Sequence, residues 1–140
     1  VLVIDLDGFK NVNDHFGHLT GNQVLRRIGD GLRTAFSGDD YVARLGGDEF
    51  VVVLPGRDRI EVNAVIERLN ALVEETGEEI CGSPQLALSV GAAFYPRDGS
   101  SAEQLLATAD EKMYQMKEEH RLGVKQYAAA AGRRQTAYVA

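Results

Sequence analysis

Two groups of carboxylates stand where the backbone could hold them beside a phosphate. The first is Asp5 and Asp7, in Ile4-Asp5-Leu6-Asp7-Gly8-Phe9-Lys10; the second is Asp48 and Glu49, in Gly46-Gly47-Asp48-Glu49-Phe50. Asp5 and Asp7 are two apart, so an extended chain puts both on one side. Asp48 and Glu49 follow a glycine pair, which accepts backbone angles closed to other residues and lets a ligand approach the main chain. Hard oxygen donors suit Mg²⁺, with Mn²⁺ as a substitute, and Mg²⁺ ordinarily keeps phosphate oxygens in its shell. If the two groups met, they would form an ion site, and paired ions about 3.5–4 Å apart can clamp a phosphoryl displacement. Gly8 and Phe9 could offer backbone N–H groups to phosphate oxygens, with Lys10 as a mobile charge beside them. Lys117 and Arg121 are four apart, so a helix would present both on one face. Acids for metal, amides for phosphate and bases for charge neutralisation are the parts nucleotide chemistry uses. Each also has a plainer reading: a strand end with an Asp-Gly turn, an acidic hairpin tip, a solvated helix face. His15 and His18 have metal-pair spacing, but a polar segment favours packing or capping roles.

The elements that must position these groups follow from hydropathy. Val1-Leu2-Val3-Ile4 predicts a strand over residues 1–6 buried on both faces, and such a strand at the first residue implies that chain precedes it. Residues 7–21 read as a polar loop or short helix. Val24, Leu25, Ile28, Leu32 and Phe36 recur at helical spacing, with Gly29 and Gly31 each weakening that helix by roughly 1 kcal/mol relative to alanine. Tyr41–Arg44 and Phe50–Leu54 flank the glycine pair as an antiparallel hairpin, stopped by Pro55-Gly56. Val62, Val65, Ile66, Leu69, Leu72 and Val73 form the stripe of an amphipathic helix that Gly77 is expected to end, leaving Cys81 in a loop.

Leu86, Leu88 and Val90 alternate in a strand running to about Phe94. Ser101 with Gln104 is a capping box opening a helix buried through Leu105, Leu106, Ala109, Met113 and Met116. Val124 to Tyr127 supply a short last strand, and residues from 128 onward a frayed tail or linker. This order predicts an α+β domain: a mixed or antiparallel central sheet flanked by helices, in a ferredoxin-like or palm arrangement.

At 140 residues, 44% hydrophobic and 26% charged, the chain has the size and composition of one globular domain. A net charge of −6 argues against broad nucleic-acid binding, while leaving room for a small basic phosphate pocket. No apolar stretch approaches the roughly 20 residues of a membrane span. The segment itself is therefore expected to make no direct membrane contact. The single cysteine, Cys81, excludes an internal disulfide and fits a reducing, cytoplasmic compartment.

Gly46-Gly47-Asp48-Glu49-Phe50 is the signature of the GGDEF domain, the diguanylate cyclase family, and the resemblance extends beyond it. Asp5-Leu6-Asp7-Gly8-Phe9-Lys10-Asn11-Val12-Asn13-Asp14 resembles the family's first strand and phosphate loop. Phe16-Gly17-His18, Gly21, Ser89-Val90-Gly91 and Ala109-Asp110 also fall where the family pattern expects them. The resemblance covers roughly residues 1–127, leaving 128–140 as the tail. It implies condensation of two GTP molecules into cyclic di-GMP with release of pyrophosphate. By the same resemblance Asp5 and the Leu6 carbonyl bind Mg²⁺ together with Asp48, which also accepts a proton. Glu49 supports that site and Lys10 stabilises the transition state. Asn13 and Asn22 match guanine-recognising positions, Gly8 and Phe9 the phosphate loop, and Lys117 and Arg121 the helix pair holding the terminal phosphates. The family closes the ring between two domains face to face, so a homodimer is implied, with a sensory domain upstream in a parent protein that could be membrane-anchored. The alternative is a catalytically silent GTP-binding module regulating an attached domain.

The chain departs from the family pattern at three places. The product-inhibition site, Arg-x-x-Asp, reads Ser37-Gly38-Asp39-Asp40, and serine lacks the planar fork that arginine offers phosphate or guanine. Feedback inhibition through that site is expected to be weak or absent. Asn22 stands where many members carry aspartate; it keeps one acceptor oxygen but loses the charge, so guanine binding is expected to weaken. The family's N-terminal turn and long helix precede the first strand and are not in this sequence.

Overall fold

In the computed structural model, which describes residues 1–36 and 38–137 with side chains through 123, the first strand is β1 (Leu2–Asp7). Its alternation decides the layering of the domain. Leu2, Ile4 and Leu6 face one side of the sheet, Val3, Asp5 and Asp7 the other. The elements that follow are α1 (Phe9–Phe16), α2 (His18–Ala35), β2 (Tyr41–Gly46), β3 (Glu49–Val53), α3 (Arg59–Cys81), β4 (Ala87–Ala92) and α4 (Ala102–Ala137). The strands lie in the order β2-β3-β1-β4, every neighbouring pair antiparallel, so β1 is central. This is the expected α+β architecture of the palm type.

On one face, Leu2, Ile4, Leu6, Phe50, Val52, Leu88 and Val90 meet Val24, Ile28 and Leu32 of α2 and Leu69 and Val73 of α3. The other face is smaller: Val3, Val51 and Ala93 are covered by Leu105, Ala109 and Met113 of α4. Each fully buried aliphatic side chain contributes about 1.5–3 kcal/mol. Beyond Val3 and Val51 the α4 face turns polar, with Asp5, Asp7, Glu49 and Ser89 pointing to it. α4 therefore lies across an apolar half and then an acidic half of the same sheet face.

The structure decides between some expectations and corrects others. Of the loop and short-helix readings of residues 7–21, the helix holds over Phe9–Phe16, because Val12 is fully buried and anchors the turn. Gly77 does not end α3; it is buried within it, where a Cβ would sit 3.2 Å from the Ser83 carbonyl, so glycine lets the following chain pack against the helix. The true cap is Gly82, in the left-handed region at φ 74°, which places Cys81 at the end of α3, half-buried, with burial raising its thiol pKa. Val124–Tyr127 are helical, part of α4, which continues through the strong helix formers Ala128–Ala131. The expected tail thus begins inside a helix, and its residues 138–140 lie outside the described residues. The capping box at α4 is offset: Ser101 Oγ accepts from the Gln104 N–H at 3.2 Å, while Gln104 Oε1 reaches the Ser100 N–H at 2.8 Å.

Asp98 closes the connection from β4 to α4. Its carboxylate accepts from the Phe94 N–H at 2.8 Å and from Arg97 at 3.3 Å, with Lys112 at 3.5 Å. The Phe94 N–H first, and then Arg97, hold its pKa down to about 2. A depressed carboxylate stabilises the fold above its ordinary pKa, and that contribution disappears as pH falls toward about 2. Asp98→Asn is therefore expected to lower the Tm at pH 7, by a margin that shrinks as pH falls toward about 2. A constant Tm difference across that range would contradict the assignment. Among the described residues no helix is long and apolar enough to cross a membrane.

Candidate active site

The acidic half of the sheet is assembled by register. Asp5 of β1 lies directly opposite Glu49 of β3, and the Leu6 N–H donates to the Asp48 carbonyl at 3.2 Å. That hydrogen bond ties the hairpin turn to the end of β1. The turn itself needs its glycines, since Gly46 and Gly47 adopt φ of 140° and 54° and the β2–β3 register slips between Arg44 and Gly46. Arg44 Nε donates to the Gly47 carbonyl at 3.0 Å and steadies the turn. Two sequence segments some forty residues apart thus become one acidic surface.

Lys117 of α4 enters this surface and donates to Asp5 Oδ1 at 2.7 Å. Burial raises the Asp5 pKa, assisted by the charges of Asp48 and Asp7, although the Lys117 hydrogen bond pulls the other way. Glu49 is also raised, by burial first and then by Asp110, Asp5 and Asp48. Burial works to lower Lys117, but its hydrogen bond to Asp5 and the neighbouring acids outweigh it, and its pKa ends above the ordinary value. The cluster holds an excess of negative charge, and Lys117 supplies the cation that it draws in.

Beside this surface, Gly8 begins α1 at φ 84°, and a Cβ there would meet the Gln85 carbonyl at 2.3 Å, so only glycine fits. No side chain caps α1, which leaves the amides of its first turn directed outward at the end of β1. Lys10 is exposed on that first turn. Asn13 follows on α1, and its Oδ1 is buried with no hydrogen-bond partner among the described residues. It packs on Gly21 of α2, where a Cβ would approach that oxygen to 1.8 Å. Asn22, exposed on α2, lines a groove of about 740 Å³ between α2 and β2 that also includes Leu25, Arg26, Arg33, Tyr41 and Arg44. That volume is in the range of sites for small molecules.

Of the residues singled out from sequence, Asp5, Leu6, Asp48, Glu49 and Lys117 are brought onto one surface. Gly8, Phe9, Lys10 and Asn13 sit on the adjoining α1 turn. Arg121 does not reach the acids; it pairs with Glu118 one turn back, at 2.6 Å. Asp40 accepts from Arg57 at 3.1 Å, and Ser37 lies outside the described residues. His15 is satisfied within α1 by the Asn11 carbonyl at 2.9 Å. Sequence reasoning gave Asp110 and His120 no role, although both lie on α4 against the acidic face. Their signal was helical spacing, with His120 three residues beyond Lys117 and Asp110 seven before it.

Among the described residues, no three carboxylate, imidazole or thiolate groups converge into a closed metal cage. Two carboxylates and a main-chain carbonyl fit Mg²⁺ better than such a cage would, because Mg²⁺ completes its shell with water and substrate phosphate. Burial first, and then neighbouring carboxylates, raise Asp5 and Glu49, and Lys117 is the cation hydrogen-bonded to Asp5.

Comparison with known proteins places these features in a family. The family model described as "Diguanylate cyclase, GGDEF domain" matches residues 1–122. The bifunctional diguanylate cyclase/cyclic di-GMP phosphodiesterase MucR of Pseudomonas aeruginosa is 36% identical over 88% of this chain and 18% of its own length. The diguanylate cyclase DosC of Escherichia coli is 38% identical over 93% of this chain and 28% of its own. The chain thus spans less than a third of these relatives. Among solved structures, the GGDEF domain of DgcB from Caulobacter crescentus, in complex with c-di-GMP, superposes with a TM-score of 0.73 at 29% identity, over 84% of this chain and 71% of that one. A sensory box/GGDEF family protein from the same organism gives 0.70 at 37% identity, over 84% and 77%.

Proposed function

The chain belongs to the GGDEF diguanylate cyclase family, and from that premise we propose that it condenses two GTP molecules into cyclic di-GMP with release of pyrophosphate. The observation that carries this reading is the gathering of Asp5, Asp48 and Glu49 on one acidic surface, with Lys117 hydrogen-bonded to Asp5, beside an uncapped helix start. Asp5, the Leu6 carbonyl and Asp48 would hold Mg²⁺, which when bound neutralises triphosphate charge and acidifies the attacking hydroxyl. The amides of Gly8 and Phe9 bind phosphate oxygens, and Lys10 balances charge that builds on the triphosphate. Lys117 exchanges Asp5 for the terminal phosphates, and Arg121 exchanges Glu118. Guanine lies beside α1 and α2, with the amides of Asn13 and Asn22 as the groups that pair with its base edge.

The 3′-hydroxyl of one GTP attacks the α-phosphorus of the other. A P–O bond forms, pyrophosphate leaves, and the hydroxyl proton passes to Asp48. The same step with the roles exchanged closes the ring. Each domain holds one GTP in a single open half-site, so two copies must face one another, and the homodimer is part of the mechanism. A reaction that consumes GTP fits a cytoplasmic domain, and the greater length of the relatives fits a parent protein with an upstream sensory domain.

The test is incubation of the dimerised protein with GTP and Mg²⁺, following cyclic di-GMP by chromatography. Product supports the reading. Stoichiometric GTP binding without product would favour the silent regulatory module. In the same assay, added cyclic di-GMP is expected to leave the initial rate unchanged, because Ser37 replaces the product-binding arginine. Inhibition that vanishes in Asp40→Ala would overturn that expectation.

A further inference from the structure

Asp7 ends β1 on the face covered by α4, and its Oδ2 is the meeting point of two side chains with no role in the scheme above. The completely buried Ser89 Oγ donates to it at 2.6 Å, and His120 Nδ1 lies 2.8 Å from it. Serine, histidine and aspartate invite comparison with a nucleophilic triad, but the geometry is wrong for one. The hydroxyl gives its proton to the carboxylate rather than to the imidazole, and no substrate can reach a fully buried oxygen. A carboxylate that already takes the serine proton acts as acceptor toward the ring as well. The imidazole hydrogen therefore sits on Nδ1 and points to Asp7, with Ser89 Oγ a longer second acceptor at 3.4 Å.

One turn earlier Lys117 makes the parallel contact to Asp5 at 2.7 Å. Two rungs thus fasten α4 to β1, Lys117 to Asp5 and His120 to Asp7. They differ in what substrate does to them. Asp5 is a proposed ion ligand and Lys117 a proposed phosphate ligand, so the first rung opens when both are engaged. Asp7 and His120 have no such duty, and their rung stays closed.

We infer that His120 is a positioning residue: its bond to Asp7, buttressed by Ser89, keeps α4 seated on β1 after Lys117 leaves Asp5. Lys117 and Arg121 then meet the terminal phosphates of a nucleoside triphosphate without the helix having to be ordered again, which preserves affinity. The inference about phosphates rests on the proposed function; the anchoring of α4 does not.

The experiment compares the parent with His120→Ala and His120→Asn, since an asparagine amide can donate from nearly the Nδ1 position. Amide hydrogen exchange of residues 116–121 is measured in the free protein, and GTP and GMP affinities by calorimetry with Mg²⁺. In His120→Ala, exchange of that segment should accelerate by roughly tenfold while residues 105–113 keep the parent rate. GTP binding should weaken by about five- to tenfold, the size of one typical net hydrogen bond, with GMP within about twofold of the parent. His120→Asn should restore both. Unchanged exchange in His120→Ala, equal losses for GTP and GMP, or failure of asparagine to rescue would overturn the inference. A parent that binds no GTP would reject the proposed function, and the exchange measurement would still decide the anchor.

Discussion

Asp48→Asn is expected to reduce cyclic di-GMP formation by about a thousandfold, the scale of losing a positioned proton acceptor, while leaving the fold intact or slightly more stable. The two effects run in opposite directions for one reason. Asp48 reaches the site through the Gly46-Gly47 turn, and its main-chain carbonyl, which accepts from Leu6, is untouched by the substitution. Its carboxylate, in contrast, raises the pKa of both Asp5 and Glu49 through repulsion. Removing that charge lets its neighbours ionise more easily and relieves the cluster, so stability at neutral pH should hold or rise. Under the proposed mechanism the same removal takes away an ion ligand and the group that receives the hydroxyl proton. Activity sites commonly trade stability for charge density in this way. Chromatographic assay of the dimerised protein and a thermal melt decide the matter together. Turnover within about tenfold of the parent would remove Asp48 from the chemistry. A collapse of the Tm would instead make the loss of product a folding defect.

Gly91→Ala is expected to be the most destabilising single-methyl change in the domain, by about 3 kcal/mol or more, lowering the Tm by about 10 °C. Gly91 lies on the α4 face of β4, opposite Val3 in the register. A Cβ at this position would stand 1.7 Å from the Ala109 carbonyl oxygen and 2.5 Å from the Met113 N–H nitrogen. Both are helix backbone, so nothing can swing aside; α4 must lift off the sheet. Lifting it would uncover Val3, Val51 and Ala93 and withdraw Lys117 and His120 from Asp5 and Asp7. Stability and nucleotide affinity should therefore fall together. Gly29→Ala is the control: it lies inside α2 with no atom within 4 Å of an added Cβ, so helix propensity alone should raise stability by up to about 1 kcal/mol. Melting curves of the two variants give the comparison, and a Gly91→Ala Tm equal to that of the parent would show that α4 is not held at this distance.

Much of this was legible in sequence because it is encoded locally. The apolar run Val1–Ile4, the alternation in residues 86–90, the glycine-pair hairpin and the apolar stripes of three helices each depend on neighbours a few positions away. The errors were local signals overruled by distant contacts. Gly77 looks like a helix end, yet it is a place where the chain at 83–86 presses against α3. The segment after Gly8 left loop and short helix open, and the fully buried Val12 decides for the helix.

The candidate site divides along the same line. The identities of Asp5, Asp48, Glu49, Lys10 and Lys117 were readable from short motifs, as was the family they announce. That Asp5 and Asp7 share a side follows from the two-residue period of a strand. Which helix covers that side does not, because the choice depends on how the apolar faces of the whole chain are buried. Once Leu2, Ile4 and Leu6 are committed to α2 and α3, the face bearing Val3, Asp5 and Asp7 is left for α4. That packing decision brings His120 to Asp7 across 113 positions and Lys117 to Asp5 across 112. No local pattern carries such separations, so the motifs were set by sequence and their meeting by the tertiary structure.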